Sequence, residues 1–490
     1  MARTLGLAAL LAGSTLLAAA PAARADEEAL RKELEETRRA MEALRRRVED
    51  LEKGAATAGD AAVVRPPSAG AGLGTVTAPN SRKIELSGQV LAWAERWDRS
   101  YRPNDPMGLD VQDQGWLRVS LQADADIEED LSARVEIRDA RIEGTEPATN
   151  AQTNSPGTGT DLKQGWFEAS DLLRSGTSVR AGRQVLAYGD HRLIGDQEWS
   201  TYGRSFDALL LSREFGRTRT RVDAFASRVI ERGAGTVTPG VDNDDQDLFG
   251  VYAATPKALH HSDLDLYFLW LRDLLDAPGE RAGESGNTGF ATAGARIAGV
   301  KGSLDWAAEG AVQRGRVAGD PLAAWAGHAR AGWTFLDAKW KPRVGVEWDA
   351  ATGDDDPSDG DRDSFQTLFP SNHEHYGILD LVAWQNVQAF RAGVKFRPHE
   401  KVTVALDAWK FRLFDSEDAW YGVNGAVIRP GAAGTSADLG TEFDLEVVWT
   451  VSKHFQASIG GAHFADGEFV RDTGNGGDTN WAYLRFVVTF

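Results

Sequence analysis

Over 490 residues the chain is 42% hydrophobic, with a mean hydropathy of -0.37 and a net charge of -19. That balance excludes both a helical membrane protein and a chain too polar to fold, and the negative charge excludes bulk nucleic-acid binding. There is no cysteine, so any fold outside the cytoplasm holds without disulfides.

The first 25 residues read as a signal peptide. Arg3 precedes an apolar run from Leu5 to Ala20, and Ala23-Arg24-Ala25 supplies a small-x-small cleavage site before Asp26. Residues 26–53 follow, with Leu30, Leu34, Thr37, Met41, Leu44, Val48 and Leu51 alternating at spacings of four and three among Glu, Lys and Arg. The spacing predicts a heptad helix, too short to be stable alone in water and stabilised by association as a periplasmic coiled coil, the alternative being a monomeric charged helix. Residues 54–82 turn to Ala, Gly, Pro, Ser and Thr with no aromatic residue, the composition of a flexible linker.

From Ile84 to the end the period changes to two. Leu117, Val119, Leu121, Ala123 and Ala125 alternate with Arg118, Ser120, Gln122 and Asp124. Leu131, Ala133, Val135 and Ile137 alternate with Ser132, Arg134, Glu136 and Arg138. About eighteen such segments of roughly ten residues fit into 83–490, each with one apolar face. No internal run reaches the roughly 18 apolar residues of a spanning helix, and a closed barrel is the other way across a bilayer. The last segment, Trp481-Ala-Tyr-Leu-Arg-Phe-Val-Val-Thr-Phe490, carries Leu484, Phe486 and Val488 on one face and Tyr483, Arg485 and Thr489 on the other. It suits lipid outside and water inside, as the closing strand of a transmembrane barrel does.

The connections alternate in length. Those near 128–130, 215–216, 299–301 and 397–400 are tight, whereas 142–161, 187–204, 351–385 and 414–440 are long. A soluble sandwich has no reason for this rhythm. Outer-membrane barrels have short periplasmic turns and long extracellular loops, and an even strand count puts both barrel ends and the heptad segment in the periplasm. Trp270, Trp348, Trp384 and Trp449 fall near expected strand ends, where an interfacial girdle sits. Trp116 and Trp166 fall on the inward parity, as lumen filling or as surfaces for sugar rings.

Two stretches resemble the alginate-export family of outer-membrane barrels. The first runs Gly182-Arg-Gln-Val-Leu-Ala-Tyr-Gly-Asp-His-Arg-Leu-Ile-Gly-Asp-Gln-Glu-Trp-Ser-Thr-Tyr-Gly-Arg-Ser-Phe-Asp207. The second runs from Ala351-Thr-Gly-Asp-Asp-Asp-Pro-Ser-Asp-Gly360 through Leu368-Phe-Pro-Ser-Asn-His373 to Tyr376-Gly-Ile-Leu-Asp380. The resemblance covers about 84–490 and not the heptad segment. It implies an eighteen-stranded barrel, all-β and antiparallel, acting as a passive channel for an anionic polysaccharide or related sugar acid. A polyuronate carries one carboxylate per sugar, so inward Arg and Lys at a constriction assist its passage.

By parity Arg118, Arg134, Arg138, Arg180, Arg219, Arg221, Arg296, Arg330, Arg343 and Arg391 point inward, and the resemblance gives Arg183 and Arg204 a pore role. Glu136, Asp305, Glu309, Glu347, Asp407, Asp444 and Glu446 share that parity, so the lumen is mixed in sign, and each charge is either a solute contact or a wall brace. Residues 187–204 are expected to fold inward and narrow the path. His373-Glu-His375 lacks the spacing of a helical zinc motif, the acidic run 354–363 lacks the alternation of an EF-hand, and no metal or cofactor is expected. The run reads as a solvated or lipopolysaccharide-bridging loop. Same-parity carboxylates on separate strands imply no fixed separation, so they do not mark a hydrolase, and no enzyme is expected. The expected partners are a polyuronate or other anionic sugar, outer-membrane lipid and lipopolysaccharide, and two further copies in a homotrimer through the coiled coil. The alternative function is a general or carbohydrate-selective trimeric porin; an enzyme or an envelope tether is a weaker one.

Overall fold

The computed structural model of the chain describes residues 74–78, 82–99, 111–144, 159–230 and 246–490. The expected signal peptide, the heptad helix 26–53 and most of the expected linker lie outside them. Within the linker stretch, Gly74–Ala78 forms a short strand paired antiparallel with residues 82–86.

The main sheet holds 19 strands, and setting that short one aside leaves the wall of a barrel. In chain order the wall is β1 (Arg82–Arg99), β2 (Val111–Glu128), β3 (Leu131–Glu143), β4 (Gly159–Ala169), β5 (Thr177–Gln184) and β6 (Phe206–Phe215). It continues with β7 (Thr220–Val229), β8 (Gln246–Leu259), β9 (Ser262–Pro278), β10 (Ser285–Lys301), β11 (Leu304–Val317) and β12 (Asp320–Thr334). The last six are β13 (Arg343–Ala351), β14 (Val387–His399), β15 (Val402–Arg412), β16 (Asp438–Thr450), β17 (Phe455–Asp466) and β18 (Thr479–Thr489). Each strand pairs antiparallel with its chain neighbours, and β18 pairs back to β1 with Gln89 opposite Thr489 and Arg99 opposite Thr479. Eighteen antiparallel strands therefore close on themselves. Among the described residues the eighteen wall strands present no open edge to lipid, which could not satisfy one.

The alternation read from the sequence is the alternation seen. In β18, Leu484, Phe486 and Val488 are about 40% exposed on the outside, whereas Tyr483, Arg485, Val487 and Thr489 are almost fully buried within. The final residue closes the seam, since the Gly88 N–H donates to Phe490 O and the Phe490 N–H donates to Gly88 O, at 2.8 and 3.0 Å.

The tight connections gather at one end of the barrel, where β2–β3, β6–β7, β8–β9, β10–β11 and β14–β15 are joined by two to four residues. Residues 185–205, 352–386 and 413–437 are long connections at the other end. The rhythm breaks twice there: 279–284 and 318–319 are short links between long strands. Trp270, Trp348 and Trp449 lie on the outer face, but Trp384 does not belong to a girdle. It sits in a loop rather than a strand, 1% exposed, donating its Nε1–H to Ala350 O at 3.1 Å.

Candidate functional site

Two long connections turn into the barrel: loop A (residues 185–205) and loop B (residues 352–386). They meet along a short parallel bridge between Ile194 and Phe369. Gly195 N–H donates to Phe369 O and Phe369 N–H to Leu193 O, both at 2.8 Å, and Ser371 N–H donates to His191 O at 2.9 Å. A side chain at position 195 would overlap Ser371, so the approach requires glycine there. The inward turn of loop A was expected; that of loop B was not.

Charge fastens both loops to the wall. Arg192 of loop A reaches across the lumen to β13, donating to Asp349 at 2.8 Å, Glu347 at 3.0 Å and the Tyr376 hydroxyl of loop B at 2.8 Å. Its plane also lies against Tyr376 and Trp384. Glu198, near the tip of loop A, meets Arg118 at 3.2 Å, Arg138 at 3.1 Å and Lys163 at 3.3 Å. Burial alone would raise the Glu198 carboxyl, but Arg138, Lys163 and Arg118 together hold it well below the usual range. Lys163 is invisible to parity. The pairing of β3 with β4 slips between Glu136–Gln164 and Ile137–Leu162, leaving Lys163 as the extra residue, and this bulge turns its side chain inward. There it is 1% exposed and also donates to Arg204 O at 2.9 Å.

Loop B separates two cavities. On the long-loop side, about 720 Å³ is lined by Trp93, Glu95, Trp116, Trp199 and Trp481. On the short-turn side, about 670 Å³ is lined by Arg343, Arg391, Asp407, Asp444 and Glu446. His373, Glu374 and Ile378 line both, so this part of loop B is the partition. His373 is held flat against Trp199, ring centroids 3.9 Å apart, with its Nδ1 2.8 Å from Asp380.

Most of the arginines expected to line the pore are neutralised. Arg118 and Arg138 serve Glu198. Arg134 meets Asp124 at 2.6 Å and Arg180 meets Glu168 at 2.6 Å, with Trp166 beside both guanidiniums. Arg343 forks onto Asp305 at 2.7 and 2.9 Å, in space left by Gly332 and Gly345. Arg391 joins Asp407 at 2.6 Å and Glu347 at 2.9 Å, and Arg221 meets Asp223 at 2.8 Å.

Two of the expected pore residues are not in the lumen. Arg183 lies one residue off the inward parity set by Gln184 and faces outward, with Asp207 at 2.9 Å. Arg219 is in the β6–β7 turn with φ of 53°, exposed and paired with Glu214 at 3.1 Å. Arg204 differs from the rest: it donates to Pro370 O at 2.9 Å and lies over the Phe369 ring, and no carboxylate among the described residues is within 4 Å. Burial lowers its guanidinium to about 10.

Two further inward cations share this condition. Arg330 has no hydrogen-bond or ion-pair partner among the described residues, and Arg485 is held between rings, 4.4 Å from the Trp199 centroid and 5.6 Å from that of Trp93. Parity placed both inward, but which arginines lack a carboxylate depends on the three-dimensional pairing.

Among the described residues, two groups could offer three metal-ligand atoms. His191, Asp196 and Glu374 lie at the junction of the loops, and His328, Glu347 and Asp349 are buried. The second is filled by Arg192, whose guanidinium takes both carboxylates.

A family model described as alginate export matches residues 92–482. No curated protein matches the chain. Solved porins of Pseudomonas aeruginosa share the fold. OccK9 (OpdG) aligns with a TM-score of 0.56 at 10% identity, over 83% of this chain and 98% of its own. OccD3 (OpdP) aligns at 0.55 and 11%, over 87% and 96%. OccK2 (OpdF), solved in complex with glucuronate, aligns at 0.52 and 10%, over 83% and 98%.

Proposed function

The chain belongs to the alginate-export family, and we propose that it is a passive outer-membrane channel, not an enzyme, that passes sugar acids. The observation that carries this reading is the set of three inward guanidiniums, Arg204, Arg330 and Arg485, that form no ion pair within 4 Å with a carboxylate among the described residues. A buried cation without a counter-ion is costly, and an anionic solute lowers that cost as it passes. The other arginines brace the wall and loops, and this fixed charge keeps the narrow path open in one geometry.

Spaces lie on both sides of the loop B partition, and the solute proposed to pass through them is a monomeric or short sugar acid. The glucuronate bound by the similarly folded OccK2 supports the same solute class. The heptad segment at 26–53 adds the proposal of a homotrimer, with its helices in the periplasm and lipid and lipopolysaccharide around the barrel.

The test is ion selectivity and block in planar bilayers. Glucuronate should reduce the current at concentrations where an equal amount of a neutral sugar does not. Arg204→Ala and Arg330→Ala should each weaken that block several-fold. A channel that passes or excludes charged and neutral sugars alike would instead be the general trimeric porin.

A further inference from the structure

The lining of the long-loop cavity has the opposite sign from what a sugar-acid channel leads one to expect. It contains Glu95, Glu198, Glu374 and Asp380 and no arginine or lysine. Glu198 is spent on three cations behind it, and Asp380 on His373. Glu95 is different. It is 9% exposed, on the inward face of β1, and its two oxygens accept the indole N–H groups of Trp116 and Trp481, each at 3.2 Å. Among the described residues no cationic side chain lies within 4 Å of it.

Indoles surround this carboxylate. Trp93 and Trp116 stack at 4.5 Å, Trp97 lies 5.5 Å from Trp481, and Trp199 stands 5.9 Å from Trp93 and 6.4 Å from Trp481. The register explains why they gather: Trp93 is opposite Trp116 on β2, and Trp97 is opposite Trp481 on β18. The hydrogen bonds to Glu95 come from indole N–H groups alone, so its charge has no cationic counterpart among the described residues. A carboxylate in apolar surroundings is costly until a cation reaches it. Indole rings attract cations as well, most strongly where water is excluded.

We infer that the long-loop vestibule is a binding site for the ammonium group of a small organic solute, with Glu95 as its counter-ion and the indoles of Trp97, Trp116 and Trp481 as its walls, the rings of Trp93 and Trp199 being taken by Arg485 and His373. This goes beyond the sugar-acid reading and does not depend on it. A solute bearing both an amine and a carboxylate would use this site and the free guanidiniums in turn.

The experiment uses the full-length channel in planar bilayers with choline added on the long-loop side. Choline should block the current, and Glu95→Gln should raise the half-blocking concentration at least tenfold. Glutamine keeps an oxygen acceptor of the same shape, so a site that recognises hydroxyls would hold methyl glucoside equally in both proteins. The migration shift of the barrel on heating checks that the variant is folded. Choline block that is absent, or unchanged in Glu95→Gln, overturns the inference, as does block by methyl glucoside without block by choline. Block by glucuronate is read separately, so the two proposals fail independently.

Discussion

Glu198→Gln isolates the lock that holds loop A in the lumen. The substitution keeps the shape and one acceptor oxygen but removes the charge shared by Arg118, Arg138 and Lys163, whose side chains are 1%, 5% and 1% exposed. At an effective dielectric near 20, each contact near 3.2 Å is worth about 5 kcal/mol before desolvation. Breaking a buried pair from one side costs a net of about 3–5 kcal/mol. Two of the cations keep other acceptors: Arg118 has the carbonyls of Glu198 and Ser200 and the Gln89 side chain, and Arg138 has Glu136 and Tyr202 O. The lower end, about 3 kcal/mol, is therefore expected, which shifts the population of the seated loop by roughly a hundredfold. Single-channel recording should show larger conductance and more current noise than wild type, together with a shift toward anion selectivity. A selectivity shift alone, with noise, conductance and thermal stability unchanged, would show that charge does not hold the loop. Because the Glu198 carboxyl is depressed, its contribution to stability is present above the ordinary carboxylate range and lost only as the pH falls through the depressed value. Wild type should hence stay quiet through mildly acidic solution.

Arg183→Ala should leave conductance and solute block as in wild type and change stability by less than about 1 kcal/mol, because its ion pair with Asp207 is outside the lumen and partly exposed. Altered block by glucuronate in this variant would contradict the outward placement. Trp384→Ala removes a fully buried ring and its bond to Ala350, at a cost of about 3–5 kcal/mol; tryptic cleavage within loop B should appear under conditions where wild type resists. At the long-loop end, burial and then the shared hydrogen bond with Asp354 push the Glu280 carboxyl up to about 8. A raised acid stabilises most below its unfolded value and loses that contribution as the pH rises through the folded one. Contact between residues 279–284 and loop B should loosen near pH 8, seen as added gating noise, and Glu280→Gln should remove that pH dependence.

The wall was legible from sequence because lipid imposes a strict rule on every strand. The parity that sent Leu117 and Leu121 outward and Arg118 and Ser120 inward holds to the final strand, and the tight connections read from the sequence all fall at one end, although 318–319 adds a tight link at the other. Parity fails where the backbone departs from a regular ladder. The bulge that turns Lys163 inward and the left-handed turn at Arg219 are local irregularities with no signal in a period of two, whereas the outward Arg183 follows the regular ladder and only the family resemblance had given it a pore role. Trp384 was misplaced for a related reason, since it belongs to a loop that dives inward instead of to a strand end.

By itself, the sequence determined a closed, lipid-facing barrel of about eighteen strands, because alternation and connection length are local properties of the chain, and the family resemblance added the expectation of one inward-turned loop. Only the tertiary structure decided which inward charges are spent and which are free. Arg192 finds Asp349 across 157 residues and Glu95 meets the Trp481 indole across 386. These partners are chosen by strand register and by where loops A and B come to rest, and a one-dimensional period contains neither.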